Sequence, residues 1–297
     1  MTCFIILGPT AVGKTSVAIS LAQHFQTDII SADSRQCFRE LNIGVAKPSP
    51  EELAAVKHYF INSHSIHDEM NAAIFERLAL QWTHEIFHTK DTAIMAGGTG
   101  LYIRAFAEGM DDIPSIPDHI RDSIQASYDQ HGIAWLQGSL RTLDPAFYET
   151  GEINNPQRMM RALEIVIGTG RSILSYRGGT QKERPFRIIK IGLDIPREQL
   201  YQQINERVDK MMQQGLADEA AGLFPMRTLN ALQTVGYTEL FEHMEGKTTL
   251  AETVQLIKQH TRNYAKRQLT WFRRDPSVTW FAPSDTGSII QFCEEQD

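Results

Sequence analysis

Several features that would define a class of protein are scarce or absent in this sequence. Only three of the 297 residues are cysteines, and Cys3, Cys37 and Cys293 are far apart in the sequence. A disulfide framework or a CxxC metal site is therefore disfavoured, and we expect a reducing, cytoplasmic environment. No hydrophobic run approaches the ~18 residues that a membrane helix needs. No basic segment precedes the first apolar run, so we expect no signal peptide.

Basic residues are also in deficit, with 29 Lys and Arg against 36 Asp and Glu and a net charge of -7. Nucleic-acid-binding proteins usually have a basic excess, so the total charge argues against such a partner. The distribution argues differently. Residues 157–190 hold eight basic and two acidic side chains, and residues 258–274 hold six basic and no acidic ones. An RNA partner therefore stays open, and the acidic remainder would discourage indiscriminate binding.

Apolar runs alternate with amphipathic stretches over most of the chain. Short apolar runs predict strands over residues 3–7, 28–30, 92–96 and 187–193. Apolar residues at helical spacing predict helices over residues 15–25, 71–88, 196–214 and 250–272. Strands that alternate with helices form a parallel sheet covered by helices, which is an α/β fold. The length suggests about two domains.

A second region interrupts this alternation. Residues 111–117 contain two prolines and resemble a linker, and residues 118–137 and 156–167 then have helical patterns, the second with Pro156 in its first turn. We predict an α/β core formed by residues 1–110 and 191–282, and a helical insertion at 111–190. Residues 283–297 look like a polar C-terminal tail.

The strongest motif lies between the first strand and the first helix and reads Gly8-Pro9-Thr10-Ala11-Val12-Gly13-Lys14-Thr15. It matches the phosphate-loop pattern G-x4-G-K-S/T with the flanks that the pattern requires. The glycines let several backbone N–H groups converge on one anion, and the helix N-terminus adds a partial positive charge. Lys14 would supply a full charge to a phosphate, and the Thr15 hydroxyl would hold Mg²⁺. The motif indicates a diphosphate or a triphosphate without naming which molecule carries it.

The acidic partner of an ordinary ATPase or GTPase is missing. That partner is an Asp after a buried strand, but residues 92–96 are followed by Gly97-Gly98-Thr99-Gly100. The acid that does follow a strand is Asp33, in Ser31-Ala32-Asp33-Ser34-Arg35-Gln36. Asp beside Ser commonly caps a helix or forms a turn. It can equally serve as a general base, and the residues alone leave both roles open.

Further blocks follow in order along the chain. They are 43–48 (IGVAKP), 97–102 (GGTGLY), 155–164 (NPQRMMRALE), 235–237 (VGY) and 264–273 (YAKRQLTWFR). Together with the phosphate loop and the Asp33 block, they closely resemble the bacterial tRNA dimethylallyltransferases over residues 4 to about 274. The phosphate loop is specific by itself, whereas the other blocks are specific only as a set.

The resemblance implies a P-loop NTPase-like core and a reaction. A dimethylallyl group would move from dimethylallyl diphosphate to N6 of the adenosine that lies 3′ of the anticodon in tRNA. An allylic carbon ionises readily once Mg²⁺, Lys14 and backbone N–H groups neutralise the leaving diphosphate. Asp33 would act as the base on N6, and Thr10 would reach the diphosphate. Arg207 is similar to an arginine that serves the diphosphate, although an ion pair within its own helix is equally plausible.

The resemblance also implies contacts with the anticodon stem-loop. They come from Ser34, Arg35, Gln36 and Thr99 around the flipped adenosine, and from Arg121, Gln157, Arg158, Met159, Met160, Arg161, Lys266 and Arg267 elsewhere. The alternative for the arginines is a solvated helix face, and the alternative for Thr99 is ordinary turn chemistry. The resemblance implies no membrane association, and we expect a monomer.

The chain departs from the family pattern at a few positions. A frequent His-His-Leu-Ile-Asp run is His58-Tyr59-Phe60-Ile61-Asn62 here, a frequent Thr is Val45, and Val12 replaces a small residue. We assign no role to Tyr59 or Asn62, and the changes leave Lys14, Thr15 and Asp33 in place. Two other functions remain as alternatives: a P-loop kinase acting on a small molecule, and a non-catalytic RNA-binding module controlled by a nucleotide. The first would lack RNA affinity, and the second would tolerate loss of Asp33.

Overall fold

The computed structural model describes residues 1–178 and 182–296, and its central element is a parallel sheet. Six strands lie in these residues: Thr2–Leu7 (β1), Ile29–Ser31 (β2), His58–Tyr59 (β3), Thr92–Gly97 (β4), Arg187–Leu193 (β5) and Val278–Phe281 (β6). They are hydrogen-bonded in the order β3-β2-β4-β1-β5-β6, and every pair is parallel. The predicted α/β fold is confirmed, with β3 and β6 as strands that the sequence patterns missed.

Twelve α-helices accompany the sheet in the described part of the chain. The first six are Lys14–His24 (α1), Pro50–Ala55 (α2), Ala72–Phe87 (α3), Gly100–Glu108 (α4), Asp118–Leu143 (α5) and Pro145–Thr150 (α6). The others are Pro156–Thr169 (α7), Arg197–Gln213 (α8), Leu216–Leu223 (α9), Tyr237–Met244 (α10), Leu250–Phe272 (α11) and Thr286–Gln296 (α12). Among these residues no helix is long and apolar enough to cross a membrane.

The register of the sheet brings the carboxyl ends of four strands together. Leu7 at the end of β1 lies beside Gly97 of β4 on one side and Gly192 of β5 on the other. Ser31 at the end of β2 lies beside Ala96. In open parallel sheets, ligands bind outside the carboxyl ends of the strands. The phosphate loop after β1 and the Asp33 segment after β2 therefore emerge at the same edge.

The chain forms two compact units: residues 1–109 with those from 183 onward, and Met110–Lys182. The first unit packs α1, α8, α11 and α12 against one sheet face around Phe4, Ile94 and Ile191. The second has its own core, which includes Leu136, Phe147 and Leu163. The insertion is shorter than the predicted 111–190, because β5 starts at Arg187 and its first residues are paired with β1.

Two segments differ from their predicted secondary structure or bounds. The predicted polar tail is the helix α12, whose Ile289 and Cys293 are fully buried in the core of the first unit. These two apolar residues are four positions apart and lie on one helix face, so the surrounding Glu and Gln residues concealed a short amphipathic pattern. The predicted helix 118–137 continues to Leu143 with a break at Gly132, whose φ is 69°.

Candidate active site

The phosphate loop joins β1 to α1 in a backbone conformation that needs glycine. Gly8 and Gly13 have φ values of 149° and 101°, in the region that disfavours other residues. A Cβ on Gly8 would also lie 2.6 Å from the carbonyl oxygen of Leu193. The helix begins at Lys14, so its unsatisfied N–H groups and partial positive charge are available to an anion. The strand–loop–helix arrangement agrees with the sequence prediction.

Lys14 lies within this loop, and among residues 1–178 and 182–296 it has no acidic ion-pair partner. Its Nζ donates to the carbonyl oxygen of Pro9 at 2.7 Å. Burial and, to a smaller extent, the nearby charge of Arg207 lower the pKa of Lys14 to about 7, against an opposing effect of Asp33. A cation held in this way is poorly solvated and is stabilised by an incoming anion.

A cavity of about 910 Å³ opens beside the loop and is bordered by residues 42–53 and α8. Its cationic lining residues are Lys14, Lys47, Arg207 and Lys210, and its carboxylates are Asp33 and Glu52. Arg207 Nη1 makes a long contact of 3.5 Å with Thr10 Oγ1, and burial lowers the pKa of Arg207. Within residues 1–178 and 182–296 Arg207 forms no ion pair, so the alternative of a pair inside its own helix does not hold.

Asp33 forms a turn interaction and also borders two cavities. Its Oδ1 accepts from the backbone N–H of Arg35 at 2.9 Å and of Gln36 at 3.3 Å, which is a turn interaction. Its carboxylate also lines both the 910 Å³ cavity and a neighbouring cavity of about 480 Å³. A turn of this kind holds the carboxylate still between the two cavities, as a positioned base requires.

Thr99 ties the Asp33 segment to the end of β4. The Ser34 N–H donates to Thr99 Oγ1 at 3.0 Å, and the Thr99 N–H donates to the Ala32 carbonyl at 3.2 Å. Tyr264 lies in the 480 Å³ cavity with Asp33 and Arg267. Burial raises the pKa of the Tyr264 phenol, and the Asp33 charge adds to this shift. The two hydrogen bonds of Thr99 are the ordinary turn chemistry that was the alternative to a contact with substrate.

The other residues of the Asp33 block have unlike surroundings. Gln36 is used internally, because its Nε2 donates to the carbonyls of Val45 at 3.3 Å and Ala46 at 3.0 Å. Arg35 lines the 480 Å³ cavity, where its Nη2 makes a long contact of 3.4 Å with the Gln233 carbonyl. Burial lowers the pKa of Arg35. Gln36 also lines the 910 Å³ cavity, so both side chains border a cavity and Arg35 is the charged one.

Gln268 on α11 links the phosphate loop to the end of β4, and sequence reasoning missed it. Its Oε1 accepts from the Thr10 N–H at 2.8 Å, and its Nε2 donates to the Gly98 carbonyl at 2.8 Å. A Cβ on Gly98 would lie 2.2 Å from that Nε2. The glycine pair after β4 thus leaves room for this amide. Gln268 is part of the 264–273 block, but the sequence analysis assigned a function only to Lys266 and Arg267 in that block.

Glu219 on α9 holds the cavity wall formed by residues 42–47, and it was also missed. Its carboxylate accepts from three successive N–H groups, those of Asn42, Ile43 and Gly44, at 2.9–3.1 Å. The hydroxyl of the fully buried Tyr237 donates to Glu219 Oε1 at 2.5 Å. A Cβ on Gly44 would lie 2.6 Å from the Tyr237 ring, so glycine is required there. This pair, the Glu219–Tyr237 clamp, explains the VGY and IGV blocks together.

One departure from the family pattern has a visible consequence. Asn62 lies where the family often has Asp, and its amide oxygen accepts from Lys47 Nζ at 2.5 Å. The same Nζ donates to the Phe38 carbonyl at 2.7 Å. Burial lowers the pKa of Lys47 to about 8. Lys47 thus contacts a neutral amide at this position instead of a carboxylate. Asn62 does not neutralise the Lys47 charge, which lines the cavity.

Residues 36–275 match the family model described as IPP transferase. The chain belongs to the IPP transferase family. It is 49% identical to a tRNA dimethylallyltransferase of Christiangramia forsetii, over 98% of this chain and 97% of the relative. It is 45% identical to tRNA dimethylallyltransferase 1 of Phocaeicola vulgatus, with the same coverage of both chains.

Solved structures of the family have the same fold. The full-length tRNA isopentenylpyrophosphate transferase of Bacillus halodurans superposes with a TM-score of 0.73 at 34% identity, over 99% of this chain and 96% of that one. A eukaryotic dimethylallyltransferase acting on tRNA gives a TM-score of 0.77 over 95% of this chain and 74% of its own, at 23% identity. The P-loop NTPase-like core is therefore the IPP transferase fold.

Three arginines of the helical unit are engaged in ion pairs. Arg121 Nε and Arg161 Nη1 bond the two carboxylate oxygens of Glu164 at 3.1 and 2.8 Å. Arg158 pairs with Glu152. The predicted solvated helix face is thus partly an ion-pair network, although the arginine side chains remain 38–50% exposed.

The block that begins at Pro156 divides by helix face. Asn155 Oδ1 caps α7 by accepting from the N–H of Arg158 at 3.2 Å, and Gln157 is exposed. Met159 and Met160, which were predicted to contact tRNA, are 0% and 5% exposed in the core of the helical unit. That prediction is corrected, because their positions on α7 put them on its apolar face.

Proposed function

We propose that this chain is a tRNA dimethylallyltransferase, which transfers the dimethylallyl group of dimethylallyl diphosphate to N6 of the adenosine 3′-adjacent to the anticodon. One observation carries the proposal. A phosphate loop with a poorly solvated Lys14 and a half-buried Arg207 lies across one cavity from the carboxylate of Asp33. An anionic leaving group and a proton acceptor are both required by an alkyl transfer from a diphosphate to an amine.

In this mechanism the phosphate loop binds the diphosphate. Its N–H groups, Lys14 and Arg207 stabilise the negative charge that grows as the allylic C–O bond breaks and its electron pair passes to the diphosphate oxygen. The N6 lone pair forms the new C–N bond. The proton that N6 loses passes to the Asp33 carboxylate, so diphosphate and protonated Asp33 are left together with prenylated tRNA.

A divalent cation, which we take to be Mg²⁺, fits the donor set of this cavity. Thr15 lines the cavity at the start of α1, and the described residues contain no cluster of three or more His, Cys, Asp or Glu that could form a protein cage. Mg²⁺ usually takes one or two protein ligands and completes its shell with phosphate oxygens and water. Thr15 would hold it, and when bound it would neutralise charge on the leaving diphosphate.

The tRNA would enter with its target adenosine extruded from the anticodon loop, where stacking is cheap to break. Arg35 and Arg267 line the 480 Å³ cavity on the far side of Asp33 and would face the flipped nucleotide. Arg121, Gln157, Arg158 and Arg161 would contact the stem-loop, with Glu164 and Glu152 giving up their arginines to phosphates. We place the reaction in the cytoplasm and expect a monomer, which sedimentation analysis would test.

A transfer assay tests the function. Unmodified tRNA and labelled dimethylallyl diphosphate are incubated with the wild type, with Asp33→Ala and with Glu51→Gln, an exposed carboxylate on α2. We expect label in tRNA with the wild type and Glu51→Gln, and a loss of about 10²-fold or more with Asp33→Ala.

Absence of label with the wild type contradicts the function, and undiminished transfer by Asp33→Ala contradicts the base assignment alone. Phosphate transfer from ATP to a small acceptor, without tRNA affinity, would instead favour the kinase alternative. The position of Asp33 between two cavities and the lack of an acid after β4 both count against that outcome.

A further inference from the structure

Arg184 lies where the chain returns from the helical unit to the α/β unit. The chain leaves the α/β unit after Gly109, directly beyond α4, and returns to it at Glu183. We call these two crossings the root of the helical unit. The side chain of Arg184 is only 9% exposed. A buried arginine is unusual at such a place, because the chain between compact units is usually exposed and polar.

The Arg184 guanidinium binds the end of α4 and a carboxylate of α3. Its Nε donates to the Phe106 carbonyl at 2.7 Å, and its Nη2 donates to the Ala105 carbonyl at 2.9 Å. The same Nη2 contacts Glu76 Oε1 at 2.8 Å. The last carbonyls of a helix have no partner within the regular helix, and a cation at that end also favours the helix dipole. Arg184 thus caps α4 at the point where the chain leaves the α/β unit.

Phe186 anchors the same returning segment with an apolar contact. Its ring centroid lies 5.8 Å from that of Phe106 and 5.3 Å from that of Phe87, at the end of α3. Pro185 stands between the two anchored residues and restricts the backbone on both sides of it. The returning segment is therefore fixed to the ends of α3 and α4 by a polar and an aromatic contact.

The ion pair on the other side of the root is of a different kind. Within the helical unit, Lys182 Nζ lies 3.2 Å from Asp112 Oδ1, and the two side chains are 45% and 94% exposed. Such a pair contributes little, because water competes for both charges. The root is thus held firmly on the α/β side and only weakly on the side of the helical unit.

The opposite end of α4 belongs to the candidate active site. Thr99 precedes the helix, and its Oγ1 accepts the N–H of Ser34, the residue after Asp33, at 3.0 Å. The helix has nine residues, a length of about 14 Å. Tyr102 on α4 stacks on Phe75 of α3 with ring centroids 4.4 Å apart. One short and tightly packed helix therefore connects the Asp33 segment to the root of the helical unit.

We propose that Arg184 is a positioning residue for transfer to tRNA, because it fixes the root of the helical unit to α4 and so to the Asp33 segment. RNA held by the helical unit then keeps its reacting adenosine in place at Asp33. Arg184 lines neither the 910 Å³ nor the 480 Å³ cavity, so it acts through α4. Misplacement of a reacting group by 1 Å can cost about 10²-fold in rate. The proposal rests on the proposed function, since it needs an RNA substrate.

The first experiment separates positioning from stability with a double variant. Arg184→Met removes the cation that pairs with the Glu76 carboxylate, which is only 12% exposed, and breaking such a pair destabilises a fold. The double variant Arg184→Met with Glu76→Gln also removes the carboxylate charge, so its melting temperature should recover. The carbonyls of α4 still lack their donor. We expect single-turnover transfer to tRNA to be about tenfold slower than in the wild type in both variants.

Two further variants complete this experiment. Arg184→Lys keeps a charge beside Glu76 without the planar fork that reaches both α4 carbonyls, so transfer should stay slow. Arg104→Met is the matched control, because Arg104 also lies on α4 but is 59% exposed and pairs with Glu108 of the same helix. It should transfer at the wild-type rate. Affinity for dimethylallyl diphosphate should be unchanged in every variant.

The outcomes distinguish this proposal from the proposed function. If the double variant or Arg184→Lys transfers at the wild-type rate, Arg184 serves stability alone and the positioning role is overturned, while the proposed function stands. A weaker affinity for dimethylallyl diphosphate that accounts for the whole loss would also overturn it, because the effect would then lie in the phosphate cavity. If the wild type transfers no label, the proposed function falls and this role falls with it.

The second experiment needs no substrate. Spin labels attached at Gln23→Cys on α1 and Glu149→Cys on α6, both exposed positions, measure the distance between the two units. The three natural cysteines are buried and stay unlabelled. We expect the double variant to broaden the distribution of this distance and Arg104→Met to leave its width unchanged. Equal widths in the wild type and the double variant would show that Arg184 does not fix the root.

Discussion

The half-buried cations of the phosphate cavity and the paired arginines of the helical unit are in opposite electrostatic states. In the described residues, Lys14 and Arg207 have no ion-pair partner, and burial lowers the pKa of both. Arg121 and Arg161 share Glu164, whose side chain is only 7% exposed. Unpaired charge in a buried position destabilises a fold, and paired charge much less. The difference teaches that the first region is built to receive an anion, whereas the second is satisfied without one.

Among the variants that test this comparison, removal of the Lys14 charge should have the largest effect. We expect Lys14→Met to lower the rate of prenyl transfer by about 10²–10³-fold, as loss of a charge-stabilising group in a buried site does. The same variant should unfold at a higher temperature without ligand, because a poorly solvated charge is removed. Single-turnover kinetics and thermal melts measure the two effects. A rate within tenfold of the wild type, or a lower melting temperature, would contradict this view of the cavity.

The Glu219–Tyr237 clamp should have the next largest effect, although neither residue lies at the phosphate loop. We expect Glu219→Ala to lower kcat by about tenfold to hundredfold, because the 42–47 wall carries the carbonyls that hold Gln36 beside Asp33. Glu219→Gln keeps one acceptor oxygen and should recover part of the loss.

The neighbouring Asp218 is exposed and provides the control as Asp218→Ala. Hydrogen exchange over residues 42–47 should rise in Glu219→Ala and stay unchanged in the control. Full activity in Glu219→Ala would show that the wall does not position the site.

A smaller effect is expected in the helical unit. Glu164→Gln removes the shared charge of Arg121 and Arg161, and because these arginines are half-exposed, water replaces much of the lost interaction. We expect a loss of about 1–2 kcal/mol in local stability, measured as faster hydrogen exchange in α5 and α7 of the whole chain. Glu149→Gln, at an exposed position in α6, is the control. Weaker tRNA binding in a folded Glu164→Gln would contradict the idea that these arginines are released to phosphate.

The smallest expected effect is the uptake of a proton when diphosphate binds. With a pKa of about 7, Lys14 is mostly neutral at pH 8 in the unliganded protein. A bound diphosphate raises that pKa again, so binding at pH 8 should take up a proton that binding at pH 6 does not. Calorimetry in buffers of different ionisation enthalpy measures this uptake. It should be smaller in Lys14→Met, and equal uptake in both proteins would remove Lys14 as its source.

The lowered pKa of Lys14 also affects how the stability of the unliganded protein depends on pH. Its folded pKa of about 7 lies below the unfolded value of 10.5. Between these values the unfolded chain binds more protons, so this group makes the unliganded protein more stable as the pH rises from about 7 to 10.5. Denaturant melts of the wild type and Lys14→Met should therefore converge over that range.

Local patterns predicted the helices and strands best where signals at their ends were strong. The helix 250–272 was predicted at both ends, and Thr249 and Glu252 form a capping box at its start. The same kind of reasoning failed for residues 283–297, where only Ile289 and Cys293 carry the core face. It also failed for Met159 and Met160, because a motif resemblance lists residues in order without saying which helix face each one occupies.

Residues that act across long separations were beyond any local pattern. Gln268 bonds Thr10 over 258 positions of sequence, and Glu219 bonds Asn42 over 177. Each is a polar residue on an ordinary helix, and its partner is a backbone N–H group that the sequence does not mark. Only packing of α9 and α11 against the strand-end loops gives these side chains their function.

By itself, the sequence determined the phosphate loop, the strand and helix that flank it, and the alternation that makes a parallel sheet. These depend on glycine conformation and on neighbours within a few residues. The tertiary structure alone decided which basic residues are paired and that Asp33 lies between two cavities. Those properties depend on which distant groups share a buried volume, since burial and partner charges set the electrostatic state of a side chain.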